Sequence, residues 1–406
     1  MEKTLKGAGY GIWIAIIIII AILAAYGGYY SGLYASLQET KTLPPIIEVG
    51  VIVSNVTYAS DILDGVLLAA KVINDSGGIA SRNLTTLVRF TGGDPGTARS
   101  MITSLINEGV RVFIGALSGP EVEVVLPIIR ENNAVLVLIS RDMHDVYDPM
   151  VIKVFGGPDV EALAMVDLAL KVGTRAAIIA VNDSYGARLA DTINSKYSTQ
   201  GGVVVYESLY TETTNVSADL EKIKGLENPP TVVFLIGYVD AARTILASAR
   251  NMQLNVTWIL SSTLADEKLL DEDELASYLE GSYVVVKRAL VESPQLSEFM
   301  ELYIKTYYRL PSDMAAYGFD SLKLIALSIA WAGYYEGQAI RKAIDTTISL
   351  FSGATGRKVL DPNGNVLQDY EILKIVKINE THKFETVGYW IPISASKAFI
   401  NWTVKQ

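Results

Sequence analysis

The chain has 406 residues, of which 50% are apolar and 19% charged, with a formal net charge of −10. That composition excludes a disordered chain and disfavours a nucleic-acid partner, which needs a basic stripe. Cysteine is absent and only His144 and His382 are present, so disulfides, thiolate zinc sites and nucleophilic thiols are excluded and a multi-histidine metal site is not expected.

The first element in chain order is Gly9–Tyr30, 22 residues without a charge and with five consecutive isoleucines. This is long enough to cross a hydrocarbon layer of about 30 Å as a helix, and it lacks the polar face of a core helix. Lys3 and Lys6 precede it, which predicts a short cytoplasmic tail over 1–8 and places everything after Ser31 outside the cell membrane as a single-pass protein. The segment Lys6-Gly7-Ala8 also resembles the processing site of archaeal pilin-like signal sequences, in which the apolar run stays attached. Sequons occur at Asn55, Asn74, Asn83, Asn182, Asn215, Asn255, Asn379 and Asn401, against about two expected by chance, and this favours a glycosylated outer surface.

Residues 31–45 form a linker ending in Pro-Pro. From Ile46 apolar runs of strand length alternate with helical patterns. The runs are Ile46–Val53, Val110–Gly115, Val135–Ile139, Ala176–Val181, Val203–Tyr206, Val232–Ile236 and Trp258–Leu260. Apolar residues at three- and four-residue spacing mark helices through Ile62, Val66 and Ile73, and in Ala98–Ile106, Val122–Ile129, Ala162–Leu170 and Ala241–Ala249. Continuous apolar strands alternating with helices predict parallel sheets covered on both faces, and about 360 residues of this pattern predict two lobes. Ligands of such sheets sit beyond the carboxyl ends of the strands. Those ends carry Leu117-Ser118-Gly119-Pro120, Ser140-Arg141-Asp142-Met143-His144, Asn182-Asp183-Ser184-Tyr185-Gly186, Gly237-Tyr238-Val239-Asp240 and Ser261-Ser262-Thr263. They offer hydroxyls, phenols and a few charges, with no acyl-transfer triad, no His-Glu-x-x-His and no phosphate loop, so neither an enzyme nor a cofactor is expected.

The order and spacing of several motifs resemble the type I solute-binding proteins of ABC importers, in the branched-chain amino acid (leucine/isoleucine/valine-binding) branch. The likeness covers about Ile46 to Trp390. It rests on Leu63-Asp64-Gly65 through Asn74-Asp75-Ser76-Gly77-Gly78-Ile79, Ile114-Gly115 with Pro127, Pro158-Asp159, Asn182-Asp183-Ser184-Tyr185-Gly186, Gly237-Tyr238 and Tyr317-Gly318-Phe319-Asp320. Most specific are Ser352-Gly353-Ala354-Thr355-Gly356, Asp361-Pro362-Asn363-Gly364-Asn365 and Val387-Gly388-Tyr389-Trp390.

The resemblance implies an α/β, two-lobed type I periplasmic-binding-protein fold with two doubly wound parallel sheets and three interlobe crossovers. One lobe would comprise 46–157 with 288–360, the other 158–287 with 361–394, followed by a tail over 395–406. It implies capture of an amino acid or similar small polar ligand for the permease subunits of an ABC importer. A ligand-sensing or structural surface protein reusing the fold is the alternative. The implied ligand-binding residues are Tyr58, Ser118, Gly119, Ser140, Arg141, Asp142, Asp159, Tyr185, Tyr238 and Thr263. Ser118 and Gly119 would meet a carboxylate at a helix start. Thr263 stands where the resemblance implies a carboxylate for an ammonium, and Asp142, Asp159 and Asp183 are the acids that could replace it.

Overall fold

The computed structural model describes residues 42–403, except 141–147, 212–215, 289, 291, 363 and 395. The expected membrane span Gly9–Tyr30, the tail before it, most of the linker, Arg141, Asp142 and the sequon at Asn215 lie outside the described residues. Among the described residues no helix is long and apolar enough to cross a membrane.

Two sheets organise the chain. The first contains β1 (Ile46–Val53), β2 (Asn83–Phe90), β3 (Val112–Ala116), β4 (Val135–Leu138) and β5 (Val151–Lys153), in the order β2-β1-β3-β4-β5 and parallel throughout. Helices α1 (Ala59–Asp75), α2 (Pro95–Asn107) and α3 (Gly119–Glu131) connect them. β3 and β4 consist of buried residues only, as strands covered on both faces require.

The chain then leaves this core between Val154 and Val160 and builds a second unit. Its helices are α4 (Pro158–Val172), α5 (Ser184–Thr199), α6 (Val216–Lys224), α7 (Val239–Asn251) and α8 (Asp273–Leu279). Its parallel strands are β6 (Arg175–Val181), β7 (Val203–Tyr210), β8 (Val232–Ile236), β9 (Thr257–Leu260) and β10 (Tyr283–Lys287). After Lys287 the chain returns to the first core with α9 (Pro294–Tyr307), α10 (Asp313–Ala332) and α11 (Gly337–Leu350). Two small hairpins, β11 (Ser352–Gly353) with β12 (Gly356–Arg357) and β13 (Val359–Leu360) with β14 (Val366–Leu367), carry it back again. The last strands, β15 (Tyr370–Ile378), β16 (Thr381–Ser394) and β17 (Lys397–Trp402), join the second sheet antiparallel. That sheet runs β17-β16-β15-β10-β9-β8-β6-β7.

Two expectations need correction. The second sheet is mixed, because its last three strands pair antiparallel, so that β15 and β17 run against β6 to β10 while β16 runs with them. The stretch read as a tail from residue 395 contains β17, whose alternating exposure fits an edge strand with one covered face.

The first core is sealed by a close crossing of α1 and α10. A Cβ on Gly65 would lie 1.9 Å from the Ala315 carbonyl oxygen, and one on Gly318 would lie 2.2 Å from that of Ile62. Where the three connections run side by side, Lys287 Nζ donates to the Gly156 carbonyl and sits over the Phe155 ring, 3.1 Å from its centroid. Tyr317 meets Phe155 edge-on at 5.3 Å and donates its hydroxyl to Gln368 Oε1 at 2.8 Å. Asp320 accepts from the backbone of Ala354 and Thr355 and faces the buried ammonium of Lys358 at 3.9 Å, so it is a joint of the third connection.

Candidate functional site

In each sheet the strand order reverses once, between β1 and β3 in the first and between β6 and β8 in the second. Chain connections diverge at such points and leave a crevice at the strand carboxyl ends. Tyr58, Ser118 and Gly119 follow β1 and β3. Tyr185 and Tyr238 follow β6 and β8.

On the first sheet Ser118 is the N-cap of α3 and forms a capping box with Glu121. The Ser118 N–H donates to Glu121 Oε2 at 2.9 Å, and so does the Ser118 hydroxyl. The hydroxyls of Ser54, after β1, and Thr91, after β2, donate to the same carboxylate. Glu121 is therefore buried yet ties together three strand-end loops. Burial by itself would raise its carboxyl, but these hydroxyls and the backbone N–H outweigh it and hold it below the usual range. The Ser118 hydroxyl is thus committed as a donor within the protein. Gly119 opens the helix, where amide N–H groups lie unpaired along the axis. Next along the rim, the Tyr58 and Ser140 hydroxyls stand 3.4 Å apart.

On the second sheet Tyr238 is half exposed and donates to Asp183 Oδ2 at 2.8 Å, while Asp183 Oδ1 caps α5 through the Gly186 N–H at 2.7 Å. One carboxylate thereby joins the loops after β6 and β8. Thr263 donates to the Gly237 carbonyl and lies 2.9 Å from the Ser261 hydroxyl, which ties in the loop after β9. Tyr185 points its hydroxyl inward to Glu161 Oε1 at 3.0 Å, and the Ser262 N–H reaches the same oxygen at 2.7 Å. Burial, followed by the neighbouring Glu161 charge, pushes the Tyr185 phenol well above its ordinary range. Burial raises the Glu161 carboxyl despite these hydrogen bonds and the Lys287 charge.

Asp159 is not brought to this rim. Arg188 grips its two oxygens at 2.7 and 2.9 Å, and the Thr192 hydroxyl adds a third bond. It lines a groove of about 1200 Å³ on the flank of the second unit, with Asp167, Arg188, Trp390 and Asp361. Two residues further on, roughly 200° around the helix, Glu161 faces the strand ends instead.

Sequence reasoning missed Glu121 and Glu161. The first carried a signal, a serine followed three residues later by glutamate at a helix start. The second carried none. Among the sequons, Asn74 is committed elsewhere: its side-chain amide exchanges two 2.8 Å hydrogen bonds with the Leu84 backbone. Asn55 and Asn182 are exposed within the strand-end loops themselves.

The family model described as periplasmic binding protein matches residues 49–381. A Leu/Ile/Val-binding protein homologue of Brucella melitensis is 25% identical over 229 residues, which are 53% of this chain and 58% of that protein's length. An ABC transporter substrate-binding protein of Desulfitobacterium hafniense, solved in complex with Leu, superposes with a TM-score of 0.59 at 18% identity, covering 84% of this chain and 100% of its own. A solute-binding protein of an ABC transporter from Rhodopseudomonas palustris, in complex with 3,4-dihydroxybenzoic acid, gives 0.54 at 16% identity, covering 89% and 99%. At these identities the structural likeness concerns the fold.

Proposed function

The chain belongs to the periplasmic binding protein family, and on that premise we propose that it is a membrane-tethered solute receptor of an ABC importer. It captures an amino acid or a similar small polar molecule between its two units and presents it to the importer's permease subunits. The observation that carries this reading is the pairing of two polar rims, each at the strand-order reversal of its own sheet. Tyr58, Ser140 and the α3 amino terminus with Gly119 form one, and Tyr185, Tyr238 and Thr263 form the other. Phenols offer an apolar body and a polar tip, which suits an amphipathic small molecule. The α3 amino terminus suits a carboxylate. Leu and 3,4-dihydroxybenzoic acid, bound by two structural relatives, share a carboxylate and differ in the rest. Binding without covalent chemistry is the expected activity.

The tether is Gly9–Tyr30, supported by its length and by Lys3 and Lys6 on one side of it. The described sequons other than Asn74 are the candidates for glycosylation, and Arg141 and Asp142 remain candidates for ligand contact. Calorimetry of the full chain in detergent against the standard amino acids, amides and short carboxylates tests the reading: saturable binding of at least one is expected, and binding of none overturns it. Protease added to intact cells tests the topology. Removal of the bulk of the chain is expected, and full protection beside a digested surface marker overturns the outside location.

A further inference from the structure

We propose that the face of the first unit at the amino ends of its strands rests on the lipid surface, with Trp331 among the headgroups, an inference that rests on the membrane tether proposed above. The described chain begins on this face. Leu43 is buried, Arg82 Nε donates to its carbonyl at 3.1 Å, and β1 follows directly from Ile46. The carboxyl end of α10 arrives at the same place. The Tyr335 hydroxyl, just past that helix, donates to the Glu48 carbonyl in β1 and accepts from the N–H of Arg111, which precedes β3, at 3.1 Å. α11 starts there too: Gln338 Nε2 donates to Asn133 Oδ1, ahead of β4, at 2.8 Å. Trp331, in the last turn of α10, is 59% exposed, and Ile46, at the foot of β1, is 52% exposed. Among the described tryptophans Trp331 alone is exposed.

Chain length sets how near this face comes to the lipid. Residues 31–41 separate the tether from Thr42. Flexible chain of that length has a root-mean-square span of about 20 Å and reaches at most about 40 Å. So short a connection presents the face to the lipid at an effective concentration on the order of millimolar, and a weak contact is then enough to seat it. A tryptophan ring, apolar in body and polar at its N–H, settles at headgroup level. The rims, at the opposite ends of the strands, then stand a strand's length of about 25 Å above the lipid, and the second unit, entered after β5, stands clear of it. Asn83 lies beside Ile46 in the β1–β2 register, so the contact requires this sequon to be unmodified.

The test uses the full chain in phosphatidylcholine vesicles that carry an energy acceptor on their headgroups. Donor dyes are placed on single cysteines, which a chain without native cysteine allows. Ser76→Cys and Glu131→Cys, at the ends of α1 and α3, label the face, while Glu123→Cys near the start of α3 and Asp240→Cys on α7 label the rims; all four positions are exposed. The Ser76→Cys and Glu131→Cys labels are expected nearer the lipid than the Glu123→Cys label by roughly 10 Å, the length of helix between the two α3 positions, with the Asp240→Cys label farther still. Equal transfer at all four positions of an inserted chain, or stronger transfer at the rims, would overturn the proposal while leaving the tether standing. A chain that does not insert would overturn both. Trp331→Ala removes an exposed side chain and is expected to fold. It should narrow the difference between the two α3 labels, and an unchanged difference would overturn the seating of Trp331. A glycan on Asn83 in protein taken from its native membrane would overturn the contact as well.

Discussion

Glu121 and Glu161 each lie in the first turn of a helix and each is buried, yet the surroundings act on them in opposite directions. Three hydroxyls and a backbone N–H hold Glu121 below the usual carboxyl range, so its charge contributes stability above its unfolded value that is lost as pH falls through the folded one. Burial raises Glu161, so its contribution is present below the ordinary value of 4.5 and is lost as pH rises through the folded one. Glu121→Gln is therefore expected to destabilise the ligand-free protein by about 1–3 kcal/mol at pH 7, and Glu161→Gln to raise its melting temperature. Both effects should shrink on acidification below the ordinary carboxyl range. Thermal unfolding at several pH values checks this, and shifts of the same sign at pH 7 would count against it. Tyr238 is half exposed and its hydroxyl is bonded, among the described residues, to Asp183, so Tyr238→Ala should leave the melting temperature within a few degrees while weakening ligand binding roughly tenfold or more. Calorimetry beside an unfolding curve separates the two. Much of this site was legible, because Ser118, Tyr185 and Tyr238 sit just past recognisable strands. Glu161 was not, because its role depends on Ser262, 101 residues away. The pairing of Asp159 with Arg188 was not legible either, because that partner comes from a different helix, 29 residues on.

At the scale of elements, legibility follows coverage. β1 and β8 match their predicted runs residue for residue, because β8 is buried throughout and β1 from Val49 onward, and strand residues covered on both faces are apolar. β2 escaped notice because it is the edge of its sheet, and its sequence Asn-Leu-Thr-Thr-Leu-Val-Arg-Phe is largely half-covered. β15 to β17 escaped for a related reason. They alternate covered and exposed residues, and that weaker pattern is easily taken for a tail. The α1–α10 crossing was visible as two glycines in motifs, but not as a contact, since Gly65 and Gly318 are far apart in sequence. A methyl group at either position strikes backbone rather than a flexible side chain. Gly65→Ala should therefore cost about 1–3 kcal/mol in spite of its favourable helix propensity. Urea unfolding measures it, and a neutral or stabilised variant would show that the helices part without cost.

The whole molecule is two packed units joined where three connections run together, a construction that would permit closure about a few segment-end residues. Phe155, Lys287, Tyr317 and Gln368 link those connections, while the two polar rims extend from separate sheets. A ligand that touches both rims binds the closed arrangement better than the open one, and that differential affinity drives the change. The absence of cysteine makes the motion directly measurable. Glu123 on α3 and Asp240 on α7 are exposed, and Glu123→Cys with Asp240→Cys places one dye on each side of the rims. Energy transfer between these dyes, followed while the amino-acid panel is titrated, tests the central claim. The account predicts that at least one amino acid shortens the distance saturably, at the concentrations where calorimetry reports binding. Saturable binding with no change in energy transfer would contradict capture between the two units.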